Sequence, residues 1–287
     1  MQQIAIHLFG PVSLTSGASD VDIKISRSPL SLLAYLALHA AQPMPRDVVS
    51  AELWPDCDEK ASRSRLSTAL WRLRSALGSA VSNDLLRDDG DAMVGLVPGA
   101  IEAIDLHRFE RRAMAFLADP HDLGWQDAPS VDRGRGVLMA GWYDIWALSA
   151  RTRIEDLRER CLSELLDRQF KAGENQPAID TAEKLLVIDP LREDVHRTLM
   201  RVYARQGRPA LALRQYERCR QAVKADLDVE PAEEIEALRA TLVDSRRIID
   251  RMPAAEPSDL GAFRKRLVET QHDLSSLSSM IDRLLQR

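Results

Sequence analysis

Residues 59–78 read EKASRSRLSTALWRLRSALG, and the spacing of the apolar residues in this stretch decides how the first third of the chain folds. Leucine or alanine occurs at positions 66, 69, 70, 73 and 77, three and four residues apart, which places them on one face of an α-helix. Gly78 follows, and glycine is common directly after the last helical residue. The stretch therefore predicts a helix from about Glu59 to Gly78 that packs its leucine face on a core.

The same stretch concentrates positive charge. Five basic residues and no acid lie between Lys60 and Asn83, although the whole chain has a net charge of −5. A solvated helix face normally mixes both signs to form i,i+4 pairs, and within this run no acid is present to pair with. A helix fits the major groove, where arginine can donate to both acceptors of guanine. The pattern favours DNA contact by a recognition helix over about 60–77, and a plain solvated face is the alternative.

Helical phase separates the polar residues of this helix into two groups. Arg65, Thr68 and Arg72 lie opposite the leucine face, where they would reach base edges. Arg63 and Arg74 lie on one flank, where they suit phosphate oxygens. Trp71 has two interpretations, packing beneath the hairpin that follows or stacking on a sugar. The predicted DNA-binding residues are Arg63, Ser64, Arg65, Thr68, Trp71, Arg72 and Arg74.

The segments around this helix alternate between strand and helix patterns. Alternating apolar residues predict three short antiparallel strands between Ile4 and Ile25, and helices are predicted over 29–40 and 46–53. After the recognition helix, a hairpin is predicted with legs at 85–87 and 93–97. Strands, three helices and a hairpin are the order of a winged helix-turn-helix, so residues 1–99 are predicted to form an α+β DNA-binding domain of that type.

The turn of this hairpin is acidic, which is unusual for a wing. It reads Asp88-Asp89-Gly90-Asp91, whereas a wing that enters a minor groove would carry basic residues. Carboxylates near phosphates repel. We therefore expect the hairpin tip to lie off the DNA or to face a protein, so that the helix supplies most of the affinity.

From about residue 100 onward, strand patterns disappear and an internal repeat is present. Gly173 and Ala178 recur 34 residues later as Gly207 and Ala212. A period of 34 residues is that of tetratricopeptide helix pairs, in which small residues let two helices approach closely. Residues 100–251 are therefore predicted to form an all-α, tetratricopeptide-like domain. Such a surface suits a partner, and packing on its own neighbours is the equal alternative.

The last 36 residues, 252–287, are predicted to be a linker followed by an amphipathic helix. Apolar residues recur at alternating spacings of three and four between Leu260 and Leu284. A helix over 258–287 would join two chains as a homodimer or bind a partner helix. Alternatively, it would fold back and complete the stack of repeats.

Several classes of function lack their characteristic patterns. No apolar run approaches the roughly eighteen residues that span a membrane, and no secretory signal is present. The three cysteines and six histidines are scattered outside metal-ligand spacings. No nucleophile elbow, catalytic carboxylate pair or glycine-rich run ending in Gly-Lys-Ser/Thr occurs. We expect a cytoplasmic protein that is not an enzyme and that holds no metal, nucleotide or other cofactor.

Two sets of motifs resemble a known bacterial family. The segments that resemble the DNA-binding half of the Streptomyces antibiotic regulatory proteins (SARP) are 32–38, Pro45-Arg46-Asp47, Leu53-Trp54-Pro55 and 62–78. A second set of segments is similar to the bacterial transcriptional activator domain (BTAD) of the same family. It consists of 105–110, 185–186, 189–197, Tyr216-Glu217-Arg218 and Val229-Glu230-Pro231. The resemblance covers roughly residues 4–242, and the second set is the more specific.

The resemblance implies an OmpR/PhoB-type winged helix followed by a BTAD. It further implies a transcription regulator, usually an activator, that binds repeated sites on double-stranded DNA near promoters and contacts RNA polymerase. Arg65, Thr68 and Arg72 fall where the family reads bases, and Arg63 and Arg74 fall where it grips phosphate. The alternative is a protein-interaction or signalling scaffold whose winged helix no longer binds DNA strongly, and the acidic hairpin favours that view.

Overall fold

The computed structural model describes residues 4–16, 21–90, 92–122, 125 and 136–251 of the chain. The chain divides into two compact units between Ile188 and Asp189. A small N-terminal region that contains β-strands precedes a region that is mostly helical, which confirms the predicted change near residue 100. Among the described residues, no helix is both long and apolar enough to cross a membrane.

Three short antiparallel strands open the chain and form one sheet. They are β1 (Ile4–His7), β2 (Ser13–Ser16) and β3 (Val21–Asp22), paired in the order β1-β2-β3. Ile6 lies opposite Leu14 across the first pair, and both side chains are buried. Successive side chains of a strand point to opposite faces of the sheet, and Ile6 and Leu14 both lie on the face that is turned towards the core. The predicted strands are confirmed, although the third ends before the apolar alternation does.

Helices and turns follow the sheet up to residue 85. The helices are α1 (Arg27–Leu38), α2 (Arg46–Leu53), α3 (Glu59–Leu77) and α4 (Ser79–Leu85). The bounds of α2 and α3 agree with the predicted ones to within a residue. Helix α1 begins two residues before Pro29, because Ser26 already occupies its N-cap position. The sequence does not predict α4, since seven residues are too few to show an apolar period.

A second sheet packs beside these helices. Its strands are β4 (Met44–Pro45), β5 (Leu86–Asp88) and β6 (Met93–Leu96), paired in the order β4-β6-β5. Strands β5 and β6 form the predicted hairpin, whereas β4 escapes prediction because two residues carry no period. Gly95 in β6 lies so close to β4 that a Cβ atom there would stand 2.9 Å from the Cα of Pro43. Only glycine fits this approach without a shift of the backbone.

The first residue of the next helix joins it to the first sheet. Helix α5 (Asp105–Ala118) follows a 3-10 turn (Pro98–Ala103). The buried carboxylate of Asp105 accepts the backbone N–H groups of Leu8 and Phe9, at 2.8 and 3.3 Å. These two donors follow β1, and the carboxylate satisfies both of them inside the core. The rings of Phe9 and Phe109 pack edge to face with centroids 5.3 Å apart. The first sheet and α5 therefore share one core.

Five further helices follow α5 in the described residues. The first unit ends with α6 (Ile145–Ala172) and α7 (Asn175–Ile188), and the second contains α8 (Glu193–Arg205), α9 (Pro209–Leu227) and α10 (Glu233–Arg251). Gly173 and Gly207 have φ angles of 77° and 69°, one and two residues beyond the ends of α6 and α8. Ala178 and Ala212 are fully buried in the helices that follow. Corresponding positions of the repeat thus have the same structural role: a glycine with a positive φ angle follows one helix, and a buried alanine lies in the next helix.

The second unit has its own core between α8, α9 and α10. The fully or almost fully buried side chains are Met200, Ala212, Tyr216, Cys219, Val223, Ile235 and Leu242. The spacing of three and four residues along α9, and of seven residues between Ile235 and Leu242 in α10, explains why each helix presents one apolar face. The predicted heptad helix over 258–287 lies outside the described residues.

We predict that the stability of the first unit decreases as the pH rises above about 6.5, the ordinary pKa of histidine. His107 lies between the Ala37 carbonyl, 2.8 Å from Nε2, and the Glu110 carboxylate, 3.0 Å from Nδ1. Because both neighbours are acceptors, the imidazolium is favoured, and the hydrogen bond to Glu110 is the largest cause of a raised His107 pKa. A group whose pKa is raised by folding stabilises the fold below its unfolded pKa, and this stabilisation is lost through the folded pKa.

Urea unfolding at a series of pH values checks this. His107→Gln should flatten the decrease, whereas His121→Gln, which removes an exposed histidine, should leave it in place. A decrease of wild-type steepness in His107→Gln would contradict the assignment.

Candidate nucleic-acid interface

The buried face of α3 is the one that the leucine spacing predicts. Asp58 caps the N-terminus, and its carboxylate accepts the Ala61 N–H at 2.8 Å. Helix α3 packs against α1 and α2. The buried residues of α3 are Ser62, Leu66, Ala69, Leu70, Leu73 and Leu77. All seven predicted DNA-binding residues are exposed on the remaining surface.

Trp71 is 68% exposed, so the interpretation that it packs beneath the hairpin is wrong. The hairpin instead buries Val94 and Leu96, and its strand β6 packs against α1. The hairpin's apolar residues therefore leave the outer face of α3 uncovered. An indole ring held in water next to arginines leaves a large apolar surface available for a ligand.

The centre of the exposed face carries positive charge without an ion-pair partner. Within the part of the chain that the structure describes, neither Arg65 nor Arg72 forms an ion pair. Thr68 donates its hydroxyl hydrogen to the Ser64 carbonyl at 3.0 Å, which fixes its side chain along the helix. These side chains together offer guanidinium donors and a methyl group from one rigid helix.

Arg63, on the flank of the same helix, is held by two carboxylates. Its Nε and Nη2 donate to both oxygens of Asp47 in α2 at 2.7 and 2.8 Å, and Nη2 lies 2.7 Å from Glu59. The Arg63 hydrogen bond lowers the pKa of Asp47 below its usual range, so this carboxylate stays ionised. The expectation that the basic run has no acid to pair with is wrong here. One acid, Glu59, is the first residue of α3 itself and lies just before the basic run, and the other, Asp47, comes from α2.

Arg74, at the other end of the flank, meets the acidic hairpin. Its Nη2 donates to Asp88 at 2.8 Å, and the second Asp88 oxygen accepts from Arg46 Nη1 at 2.9 Å. Arg46 also donates to the Ser67 hydroxyl at 3.2 Å. Asp88 therefore points inward and joins α2, α3 and β5. From the sequence alone, the carboxylates of the turn count alike as charges that repel phosphate, whereas the charge of Asp88 is compensated by two arginines.

The other carboxylates of the hairpin turn differ from Asp88. Asp89 forms an exposed ion pair with Arg87, at 3.2 Å. Asp91 lies outside the described residues. Whether the hairpin tip contacts DNA stays a prediction.

Charge is consequently uneven along α3. One cation, Arg63, lies between two anions, Asp47 and Glu59. At the other end, one anion, Asp88, lies between two cations, Arg46 and Arg74. The positive potential is therefore strongest from the middle of the helix towards the hairpin. Sequence reasoning missed Arg46, Asp47 and Asp88 as parts of this face. Arg46 and Asp47 stand in the quoted Pro45-Arg46-Asp47 motif, but no spacing rule connects them to α3.

In the described residues, no group of three or more histidine, cysteine, aspartate or glutamate side chains could hold a metal ion. The cysteines are free thiols, and burial raises the pKa of Cys161 to about 11 and that of Cys219 to about 12. Thiols with such pKa values are poor nucleophiles at neutral pH.

Comparison with known proteins shows a similarity to bacterial regulatory proteins. Residues 104–243 match the family model of the bacterial transcriptional activator domain. The regulatory protein AfsR of Streptomyces coelicolor is 26% identical over 230 residues, which is 78% of this chain and 23% of AfsR. The transcriptional regulator RedD of the same organism is 26% identical over 243 residues, covering 79% of this chain and 67% of RedD. AfsR of Streptomyces griseus is 30% identical over 154 residues, 53% of this chain and 16% of that protein.

The fold also has a solved counterpart. Mycobacterium tuberculosis EmbR, determined in complex with a low-affinity phosphopeptide, aligns with a TM-score of 0.67 at 19% identity, over 95% of this chain and 72% of EmbR. The chain is thus similar to bacterial regulatory proteins over most of its length. These findings confirm the resemblance to SARP regulators that the motifs in the sequence indicate. It spans less than a quarter of the length of the AfsR proteins that it matches.

The packing of α3 gives a direct prediction for stability. Leu73 is fully buried, so Leu73→Ala should lower the free energy of unfolding by about 2–5 kcal/mol through lost contacts and a cavity. Trp71→Ala, at a larger but exposed side chain, should change it by no more than about 0.5 kcal/mol. Urea unfolding of both variants measures this, and equal losses would contradict the phase of the helix.

Proposed function

We propose that this chain is a sequence-specific, DNA-binding transcription regulator of the activator type. Residues 1–99 would be a winged helix-turn-helix of the OmpR/PhoB kind, with α3 as its recognition helix and β5–β6 as its wing. Residues 100–251 would be the tetratricopeptide-like activator domain. The observation that carries the proposal is the exposed face of α3, where Arg65 and Arg72 lack ion-pair partners in the described structure while the opposite face is buried.

The chemistry of this face suits base recognition. Arginine presents a planar fork that donates to both N7 and O6 of guanine, and no other pair presents that pattern in the major groove. Arg65, Thr68 and Arg72 project from the same helix face, so one docking geometry brings all three to base edges. The Thr68 methyl group and the Trp71 ring suit thymine methyl groups or a deoxyribose. Ser64, one turn from Thr68, lies at the edge of this surface.

Phosphate contacts would come from the flank. Arg74 is 46% exposed and has a net positive neighbourhood, which supports contact with the DNA backbone. Arg63 would first have to exchange its carboxylate partners for a phosphate. Exposed ion pairs such as these stabilise a fold by no more than about 1 kcal/mol, so this exchange costs little.

The alternative is a protein-interaction or signalling scaffold with a winged helix that binds DNA only weakly. Two observations favour it: the net charge of −5 and the neutralisation of Arg63 by Asp47 and Glu59. Salt dependence separates the two functions, because a DNA binder releases counterions and loses affinity steeply as salt rises. Weak affinity for every duplex at low salt would favour the scaffold.

Further parts of the proposal come from the relatives. We propose a cytoplasmic protein without catalytic activity that binds double-stranded DNA and contacts RNA polymerase, as the SARP resemblance implies. The domain limits at residues 99 and 251 belong to this proposal. The segment 258–287 would supply a homodimer contact or bind a partner helix, which would suit repeated DNA sites.

Two alanine substitutions test the base-reading face. Arg72→Ala should weaken binding by about 1–3 kcal/mol and relax the base preference at one position, since its fork reads a base. Arg74→Ala should weaken binding to all sequences alike and reduce the salt slope by about one. Selection from a random duplex pool, followed by affinity measurements at several salt concentrations, checks both. Identical motifs from wild type and Arg72→Ala would refute base reading by Arg72.

Truncation tests the role of the C-terminal segment. Removal of all residues after Ala254 should convert a dimer to a monomer and weaken binding to paired sites more than to a single site, because two half-sites then no longer bind one assembly. Light scattering gives the mass of each form. An oligomeric state that truncation leaves unchanged would exclude dimerisation through 258–287.

A further inference from the structure

The junction of α2, α3 and the hairpin is organised around one carboxylate. The Asp88 side chain is only 9% exposed, and its two oxygens accept from different arginines, Arg46 and Arg74, at 2.9 and 2.8 Å. Arg46 is 13% exposed, and its backbone N–H donates to the Ala92 carbonyl of the hairpin at 3.1 Å. The Nη2 group of Arg46 donates a hydrogen bond to the Ser67 hydroxyl on α3. Three elements are therefore fixed to one another by a single set of charge-assisted hydrogen bonds.

We infer that Asp88 and Arg46 are positioning residues that hold Arg74 for contact with a DNA phosphate. The acidic hairpin then contributes to DNA binding indirectly, because its Asp88 carboxylate binds Arg46 and Arg74 within the protein. The inference rests on the proposed function, since it concerns the same face of α3.

The geometry of arginine makes this arrangement productive. A guanidinium carries five N–H donors in a rigid plane, and Asp88 engages Arg74 only through Nη2. Most donors of Arg74 therefore stay available while the side chain is held in one orientation. Pre-organisation of this kind lowers the entropy that is lost on binding. Two cations that share one anion also leave one net positive charge beside the recognition helix.

Asp47 provides a matched contrast on the other part of the flank. It also accepts from an α3 arginine, but it is 61% exposed, and Arg63 has Glu59 as a second partner. Loss of the Asp47 charge removes a repulsive carboxylate and leaves the position of Arg63 supported. Loss of the Asp88 charge removes the shared partner of two cations, one of them partly buried, and exposes each to repulsion by the other.

The same substitution at these positions therefore has opposite expected effects. Simple repulsion between carboxylates and phosphates predicts that asparagine at either position strengthens DNA binding. Positioning predicts that Asp47→Asn strengthens binding roughly threefold at low salt, whereas Asp88→Asn weakens it about tenfold. Fluorescence anisotropy on a duplex selected from a random pool, with the whole chain, measures both. Asp88→Asn that binds as tightly as wild type, or more tightly, overturns the inference.

A double-mutant cycle separates positioning from loss of fold. If Asp88 acts through Arg74, Asp88→Asn adds little to the loss caused by Arg74→Ala, and its salt slope decreases as that of Arg74→Ala does. Additive losses overturn the inference. Asp88→Glu, which keeps the carboxylate, should recover part of the affinity, and failure to recover any counts against it. Thermal unfolding of each variant shows whether the fold is retained.

If Asp88→Asn does not fold, Arg46→Lys gives the test. Lysine keeps the positive charge but replaces the planar fork by one ammonium, which cannot hold Asp88 and Ser67 through two nitrogens. It should weaken binding to all sequences, and unchanged affinity overturns the inference. The behaviour of the wild type separates failure of the proposed function from failure of this inference. If wild type binds no duplex in a salt-dependent manner, the proposed function itself fails. If wild type binds duplex DNA but the Asp88 and Arg46 variants do not show the losses expected above, the function stands and the positioning role fails.

Discussion

Burial of the leucine face of α3 is the constraint on which the arrangement of the N-terminal region depends. Leu66, Leu70 and Leu73 are almost completely removed from water, and each such side chain contributes roughly 1.5–3 kcal/mol. This burial fixes the rotation of α3 about its own axis. Once that rotation is fixed, the arginines on the opposite face have only one direction in which to point. The apolar core therefore determines which polar residues α3 presents to solvent.

Ion pairs then divide the positive charge of α3 into parts with different availability. Arg65 and Arg72 project without ion-pair partners in the described residues, whereas Arg63 and Arg74 are held by carboxylates from other elements. A sequence that looks uniformly basic thus becomes a surface with a positive centre and a flank that is neutralised at Arg63 but stays net positive at Arg74. The Asp88 carboxylate lies beside the basic helix with its charge compensated by Arg46 and Arg74.

The core of the N-terminal region continues into the helices that follow. Asp105 binds the backbone after β1, and His107 binds the end of α1 through the Ala37 carbonyl. Both residues lie at the start of α5, in the segment where the activator-domain match begins. The residues that open the matched segment therefore also complete the fold of the preceding region. A change in protonation at His107 would be transmitted directly to α1.

The sequence by itself determined the elements with long, regular periods. The leucine spacing of α3, the glycine at its end, the hairpin and the 34-residue repeat were all predictable, as was the SARP resemblance, because each depends on residues that are close in the chain. Only the tertiary structure decided the partners of the arginines and the exposure of Trp71. Arg46 and Asp88 are 42 residues apart, and Asp47 and Arg63 are 16 apart. Such contacts follow from the packing of elements against one another, and no local spacing encodes them.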